Sequence, residues 1–213
     1  KTGVGVQDLL EAIINKIHIE VLIVDSNTNS ERINLIEYCH PNSFIDISVI
    51  NTINNIACKR NFGIQQSSSD YLVFLDDDVI PGDNLIEYFY NNRFSPKMTS
   101  CLVDFYPPKS PYLYYRRRKE NSVKKKFLSK KELNPIYATS MAFGVRKNTI
   151  VHKNLYFNEN FKGYGWEDVD YFIQASQAGI NLDIANVKVI HKELSDYKTV
   201  SYTHLTLPTR LPV

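Results

Sequence analysis

The sequence predicts an α/β fold, a mainly parallel sheet flanked by helices on both faces. Three observations carry that expectation. Short apolar runs rich in β-branched residues, at 19–24, 44–50 and 71–75, alternate with segments of helical periodicity. Each run ends abruptly in polar or acidic residues. A chain of 213 residues, 43% hydrophobic and 23% charged, is long enough to bury one substantial core. The same composition excludes a disordered chain, a collagen and a disulfide scaffold. The longest apolar runs fall well short of the about 20 residues that span a bilayer.

Residues 6–16 read as an amphipathic helix, with Val6, Leu9, Leu10, Ile13, Ile14 and Ile17 on one face. The run 19–24 is a buried strand closed by Asp25-Ser-Asn-Thr-Asn. Residues 31–38 are helical, 44–50 a strand, and 54–66 a helix that Gly63 weakens. The strand 71–75 stops at Asp76-Asp77-Asp78, and Pro81-Gly82-Asp83 turns into a helix over 84–91. In the second half, 100–106 and 139–145 read as strands around a basic, aromatic, Pro-punctuated loop at 107–134. Val169, Phe172 and Ile173 mark a helix ending at Gly179, and 182–190 is a last strand ending in His191. In open parallel sheets, ligands bind at the carboxyl ends of strands. Asp25 and the 76–78 carboxylates are therefore expected on one edge.

Cys39, Cys58 and Cys101 are odd in number and lack CxxC spacing. They read as buried free thiols in a reducing, cytoplasmic setting. The net charge of +2 is unevenly spread. Residues 109–132 hold ten Lys or Arg against two Glu, leaving −6 for the rest. Residues 200–210 resemble a translated transposase-type sequencing adapter. The natural sequence is accordingly expected to stop near Thr199, with 200–213 a non-native tail.

Several constellations could carry chemistry. Three consecutive carboxylates repel one another, and a hard divalent cation would relieve that cost. The alternative is a solvated acidic turn. Glu167-Asp168 opens a helix behind Gly163-Tyr-Gly-Trp166. It reads either as a general base beside an aromatic platform for a sugar face, or as ordinary N-terminal helix charge. His191 is a metal ligand or a structural histidine. Arg60 contacts an anionic diphosphate or is a surface cation.

Residues 57–81, from Ala57-Cys-Lys-Arg-Asn-Phe-Gly63 through Asp76-Asp77-Asp78 to Pro81, resemble glycosyltransferase family 2 with its GT-A fold and Rossmann-like sheet. Ile23-Val24-Asp25-Ser26 resembles that family's earlier strand end. Gly163-Tyr-Gly-Trp-Glu-Asp-Val-Asp170 resembles its Gly-Trp-Glu-Asp motif and the galactosyltransferase-type region. The resemblance runs from about residue 6 to His191. It implies one GT-A domain over 1–199, with a nucleotide-sugar half at 1–105 and an acceptor half at 106–199. It also implies a first strand that this chain lacks before residue 6. The usual Asp-Asp-x-Ser-x-Asp is reduced here to Asp25-Ser-Asn-Thr-Asn.

By the same resemblance, Asp168 is the catalytic base, and Glu167 and Trp166 bind the acceptor. Asp25, Arg60, Asp76 and Asp77 hold the donor. Asp78 and His191 ligate Mn²⁺ or Mg²⁺. The implied activity moves a sugar from a nucleotide sugar, a UDP-sugar first, to a glycan or glycolipid hydroxyl with inversion, in bacterial polysaccharide synthesis. The alternative is a non-catalytic sugar-nucleotide or anionic-polymer-binding domain that uses residues 109–131. That basic segment also suits an anionic membrane surface, on whose cytoplasmic face the protein would sit. Nucleic acid is the weaker partner, because it would not need the carboxylates and His191 together.

Overall fold

A computed structural model describes residues 19–26, 45–105, 133–161 and 166–191. β1 (Ile19–Asp25) and β2 (Ile45–Asn51) pair in parallel as a two-stranded sheet. A larger sheet has the order β3-β6-β5-β7-β4. Its strands are β3 (Tyr71–Leu75), β4 (Val79–Pro81), β5 (Met98–Phe105), β6 (Ala142–Arg146) and β7 (Leu182–His191). The helices are α1 (Ile56–Gln66), α2 (Leu85–Asn91), α3 (Lys147–His152) and α4 (Glu167–Gln177), with a 3-10 turn at Pro135–Tyr137. The expected helices at 6–16 and 31–38, the 107–132 loop, Cys39 and the tail at 200–213 lie outside the described residues. No described helix is long and apolar enough to cross a membrane.

The α/β fold is as expected, but the strand directions are mixed rather than mainly parallel. β5 and β7 run parallel, while β3–β6, β5–β6 and β4–β7 are antiparallel. An apolar run looks the same in either direction; the way the chain returns to the sheet decides which it takes. Among the described residues, β1 and β2 are not hydrogen-bonded to the larger sheet. Asp25 thus ends, and the 76–78 carboxylates follow, strands that are not paired with each other among the described residues. β4, α3 and the 3-10 turn had no sequence expectation, because each spans at most six residues and shows too little periodicity.

A carboxylate ties β1 to the rest. Glu20 accepts from the Ser68 N–H at 2.9 Å and from the Ser67 and Ser69 hydroxyls at 3.1 and 3.0 Å. Burial works to raise its pKa, but these hydrogen bonds outweigh burial and lower it.

β6 shows how the sheet separates two cores. Phe143 and Val145 face Ala57 and Ile64 of α1 and Tyr171, Phe172 and Ala175 of α4. Ala142 faces the other way, towards Leu85 and Phe89 of α2 and Val187 and Val189 of β7. This is the period-two alternation of a strand covered on both faces. Each fully buried Leu or Phe is worth about 1.5–3 kcal/mol. At Gly144 a Cβ would lie 2.5 Å from the Phe89 ring and 2.6 Å from the Tyr71 hydroxyl, so the close approach of α2 requires glycine. Phe74 stacks on Phe143 at 4.4 Å and Phe157 on Tyr171 at 3.8 Å, giving the first core an aromatic centre. Cys58 and Cys101 are buried and free, as expected. Burial pushes the Cys101 thiol up to about 12.

Candidate active site

The acidic turn is built by the sheet. The Asp76 N–H donates to the Met141 carbonyl at 3.0 Å, extending the β3–β6 pairing by one step. The Asp76 carbonyl then accepts from the Val79 N–H at 3.2 Å, which closes a tight turn and exposes Asp77. β4 begins at Val79, directly opposite His191 in the antiparallel β4–β7 register. That register brings the preceding Asp78 to His191, with Nε2 and Oδ2 3.0 Å apart. The two residues are 113 positions apart in the chain.

A second meeting lies on the α1 side. Asn55 caps α1 by accepting from the Cys58 N–H at 3.0 Å. Arg60 then projects one nitrogen to Asp76 at 3.0 Å and the other to Glu167 at 3.2 Å. Its side chain is 10% exposed and that of Glu167 is 7% exposed. The guanidinium lies 5.2 Å from the centre of the Phe157 ring, a cation–π contact. Burial raises the pKa of Asp76; the Arg60 charge and hydrogen bond oppose it, and the Asp78 and Asp77 charges add to it.

Asp168 follows Glu167 in the first turn of α4. Burial raises its pKa, the Glu167 charge raises it further, and the hydrogen bond from the Val169 N–H pulls it back. That bond, to Asp168 Oδ1, is 2.8 Å long. An upward shift is the direction that favours a carboxylate as a proton acceptor. Trp166, just before α4, is 54% exposed. Its φ of 74° is left-handed, a conformation uncommon for a non-glycine residue and costing about 1–3 kcal/mol.

Asn61 had no expected role, yet it is 3% exposed and clamps the approach to α4. It donates to the Phe157 carbonyl and to Glu159 Oε1, and accepts from the Phe157 N–H, each at 2.8 Å. Asn55 adds a bond to the Phe161 carbonyl at 3.1 Å. The available signal was periodicity. Ala57, Asn61 and Ile64 fall on one helical face, so a polar residue there needs buried partners.

The fold thus joins Arg60, Asp76 and Glu167 in one cluster, with Asp168 adjacent in the chain to Glu167, and joins Asp78 to His191. Asp25 ends β1 with its backbone opposite Asn51. Residues 109–131 and 162–165 lie outside the described residues. Among the described residues, no group of three His, Cys, Asp or Glu forms a metal cage. Asp78 and His191 nonetheless supply one oxygen and one nitrogen donor. Mg²⁺-type sites commonly use one or two protein groups and complete the shell with substrate phosphates and water. The donor set therefore fits a cation shared with a substrate.

The family model described as glycosyl transferase family 2 matches residues 5–156. Among solved structures, Staphylococcus aureus TarS 1–349 has a TM-score of 0.64 at 12% identity, over 90% of this chain and 57% of that one. Its complex with UDP-GlcNAc has a TM-score of 0.63 at 12% identity, over 90% and 54%. GalNAc-T7 with UDP, GalNAc and Mn²⁺ has a TM-score of 0.62 at 15% identity, over 88% of this chain and 39% of that one. The chain thus spans well under two thirds of each, and the likeness is one of fold, GT-A. No curated protein matches the sequence.

Proposed function

The chain belongs to glycosyl transferase family 2, and from that premise we propose that it transfers a sugar from a nucleotide-diphosphate sugar to a hydroxyl of a glycan or glycolipid. The observation that carries this reading is the junction of the Asp76–Asp78 turn with the Glu167–Asp168 helix start through Arg60. That junction brings a donor-side and an acceptor-side carboxylate together. A UDP-sugar is the first choice of donor, because TarS was solved with UDP-GlcNAc and GalNAc-T7 with UDP.

In this mechanism Asp168 takes the proton of the acceptor hydroxyl as the oxygen bonds to the anomeric carbon. The bond from that carbon to the donor's diphosphate oxygen breaks, and the electron pair leaves with the diphosphate. One displacement inverts the anomeric centre. General-base assistance of this kind is worth about 10²–10⁴-fold. The raised proton affinity of Asp168 supports the role. Asp78 and His191 are the residues that would hold Mn²⁺ or Mg²⁺, which would supply positive charge to the diphosphate leaving group. Asp25, Asp76 and Asp77 serve the donor, and Arg60 holds Asp76 from the protein side. Glu167 and the exposed Trp166 serve the acceptor, the indole offering an apolar face to a sugar ring.

The test is a screen of nucleotide sugars with the full-length protein, with and without Mn²⁺. Metal-dependent transfer or hydrolysis of one donor is expected. Binding of donors without turnover under any condition would overturn the enzymatic reading.

A further inference from the structure

We propose that Arg60 is a positioning residue, a two-pronged lock that fixes the donor-side carboxylate Asp76 against the acceptor-side carboxylate Glu167. It acts through them rather than as a ligand of the diphosphate. This rests on the transferase reading above and deepens it.

The geometry is that of a two-pronged clamp, which engages two of the five guanidinium N–H groups. Each terminal guanidinium nitrogen is committed to a different carboxylate, at 3.0 and 3.2 Å. Those carboxylates start from distant parts of the chain, 16 and 107 positions from Arg60. One follows β3 and the other opens α4. The guanidinium also rests near the Phe157 ring. That ring is itself fixed, by Asn61 on both its backbone N–H and carbonyl and by stacking on Tyr171 of α4. A planar fork held in this way can set the separation of two groups, which a point charge on a flexible stem cannot. Swinging the guanidinium out of this fork towards a phosphate would break its pair with the buried Glu167, and breaking a buried ion pair is strongly unfavourable. Asp168 is the next residue after Glu167. The lock therefore also sets where the proton acceptor stands relative to the donor.

The experiment uses the full-length protein, with Arg60→Lys, Glu167→Gln and the double variant. Arg60→Lys keeps the charge and loses the fork. Its kcat should fall about 100-fold, the scale of a small misplacement of reacting groups. Its Kd for UDP, by calorimetry, should stay within about threefold of wild type. The double variant should be no more than about threefold slower than the worse single one, because both break the same lock. A UDP affinity weakened about tenfold or more with kcat preserved would make Arg60 a phosphate ligand and overturn the proposal. Fully multiplicative losses in the double variant would overturn it as well.

Thermal unfolding separates this proposal from the reading beneath it, since it needs no substrate. Coupled midpoints for Arg60 and Glu167 in a protein without turnover would uphold the lock and overturn the transferase. Additive midpoints in an active protein would overturn the lock alone. If Arg60→Lys does not fold, Glu167→Gln probes the lock from its other end: reduced kcat with unchanged acceptor KM and intact UDP binding supports it, and unchanged kcat or a loss confined to acceptor KM overturns it.

Discussion

Asp168 and Asp78 carry the two residue-scale tests. Asp168→Asn keeps the size of the side chain and removes its basicity. Transfer should fall by about 10²–10⁴-fold, the worth of a general base, with donor binding retained. Turnover near wild type would remove Asp168 from that role. Asp78→Ala leaves His191 without its carboxylate neighbour at 3.0 Å. Calorimetry should then show that Mn²⁺ no longer strengthens UDP binding, whereas an unchanged metal effect would place the cation elsewhere. At this scale much was legible. An apolar strand ending in three carboxylates, and Glu167-Asp168 beside a tryptophan, stand out as candidates by residue type. The bridging state of Arg60 and the buried clamp of Asn61 were not legible, because both depend on partners about 100 positions away.

Elements position these residues through register and close packing. β4 is three residues long, and its pairing with β7 is what brings Asp78 to His191. No local propensity marks so short a strand. α2 packs so tightly on β6 that Gly144 has no room for a methyl group. Gly144→Ala should therefore destabilise the protein by about 1–3 kcal/mol, the usual cost of overpacking. Chemical denaturation checks this, and unchanged stability would mean that α2 can shift away from the sheet. The longer elements were readable to within a few residues, since β3 and α1 have strong hydrophobic and capping signals. Strand direction was not, because the apolar pattern is indifferent to it.

For the molecule as a whole, the site costs stability. The folded pKa of Asp168 lies above the ordinary value of 3.8, chiefly through burial. Between those two values the folded state holds a proton that the unfolded chain releases. The contribution of this group to stability is therefore greatest below pH 3.8 and declines as pH rises through the folded value. Asp168→Asn should accordingly melt above wild type at pH 7, with the gap closing towards pH 3. A gap that stays constant with pH would show that Asp168 is not strained by ionisation. The left-handed Trp166 beside it adds a backbone cost of the same kind.

The chemical inventory and the alternation of elements could be read from the residues in order. Side-chain type and hydrophobic period act over a few residues and survive without any tertiary contact. Strand direction, strand pairing and the meeting of charges came from the packed fold. Those outcomes arise from ladders and burial between distant segments. Arg60 shows the difference: its charge can be read from one position, but its work depends on a β3 carboxylate and an α4 carboxylate that only the packed fold brings within 3.2 Å.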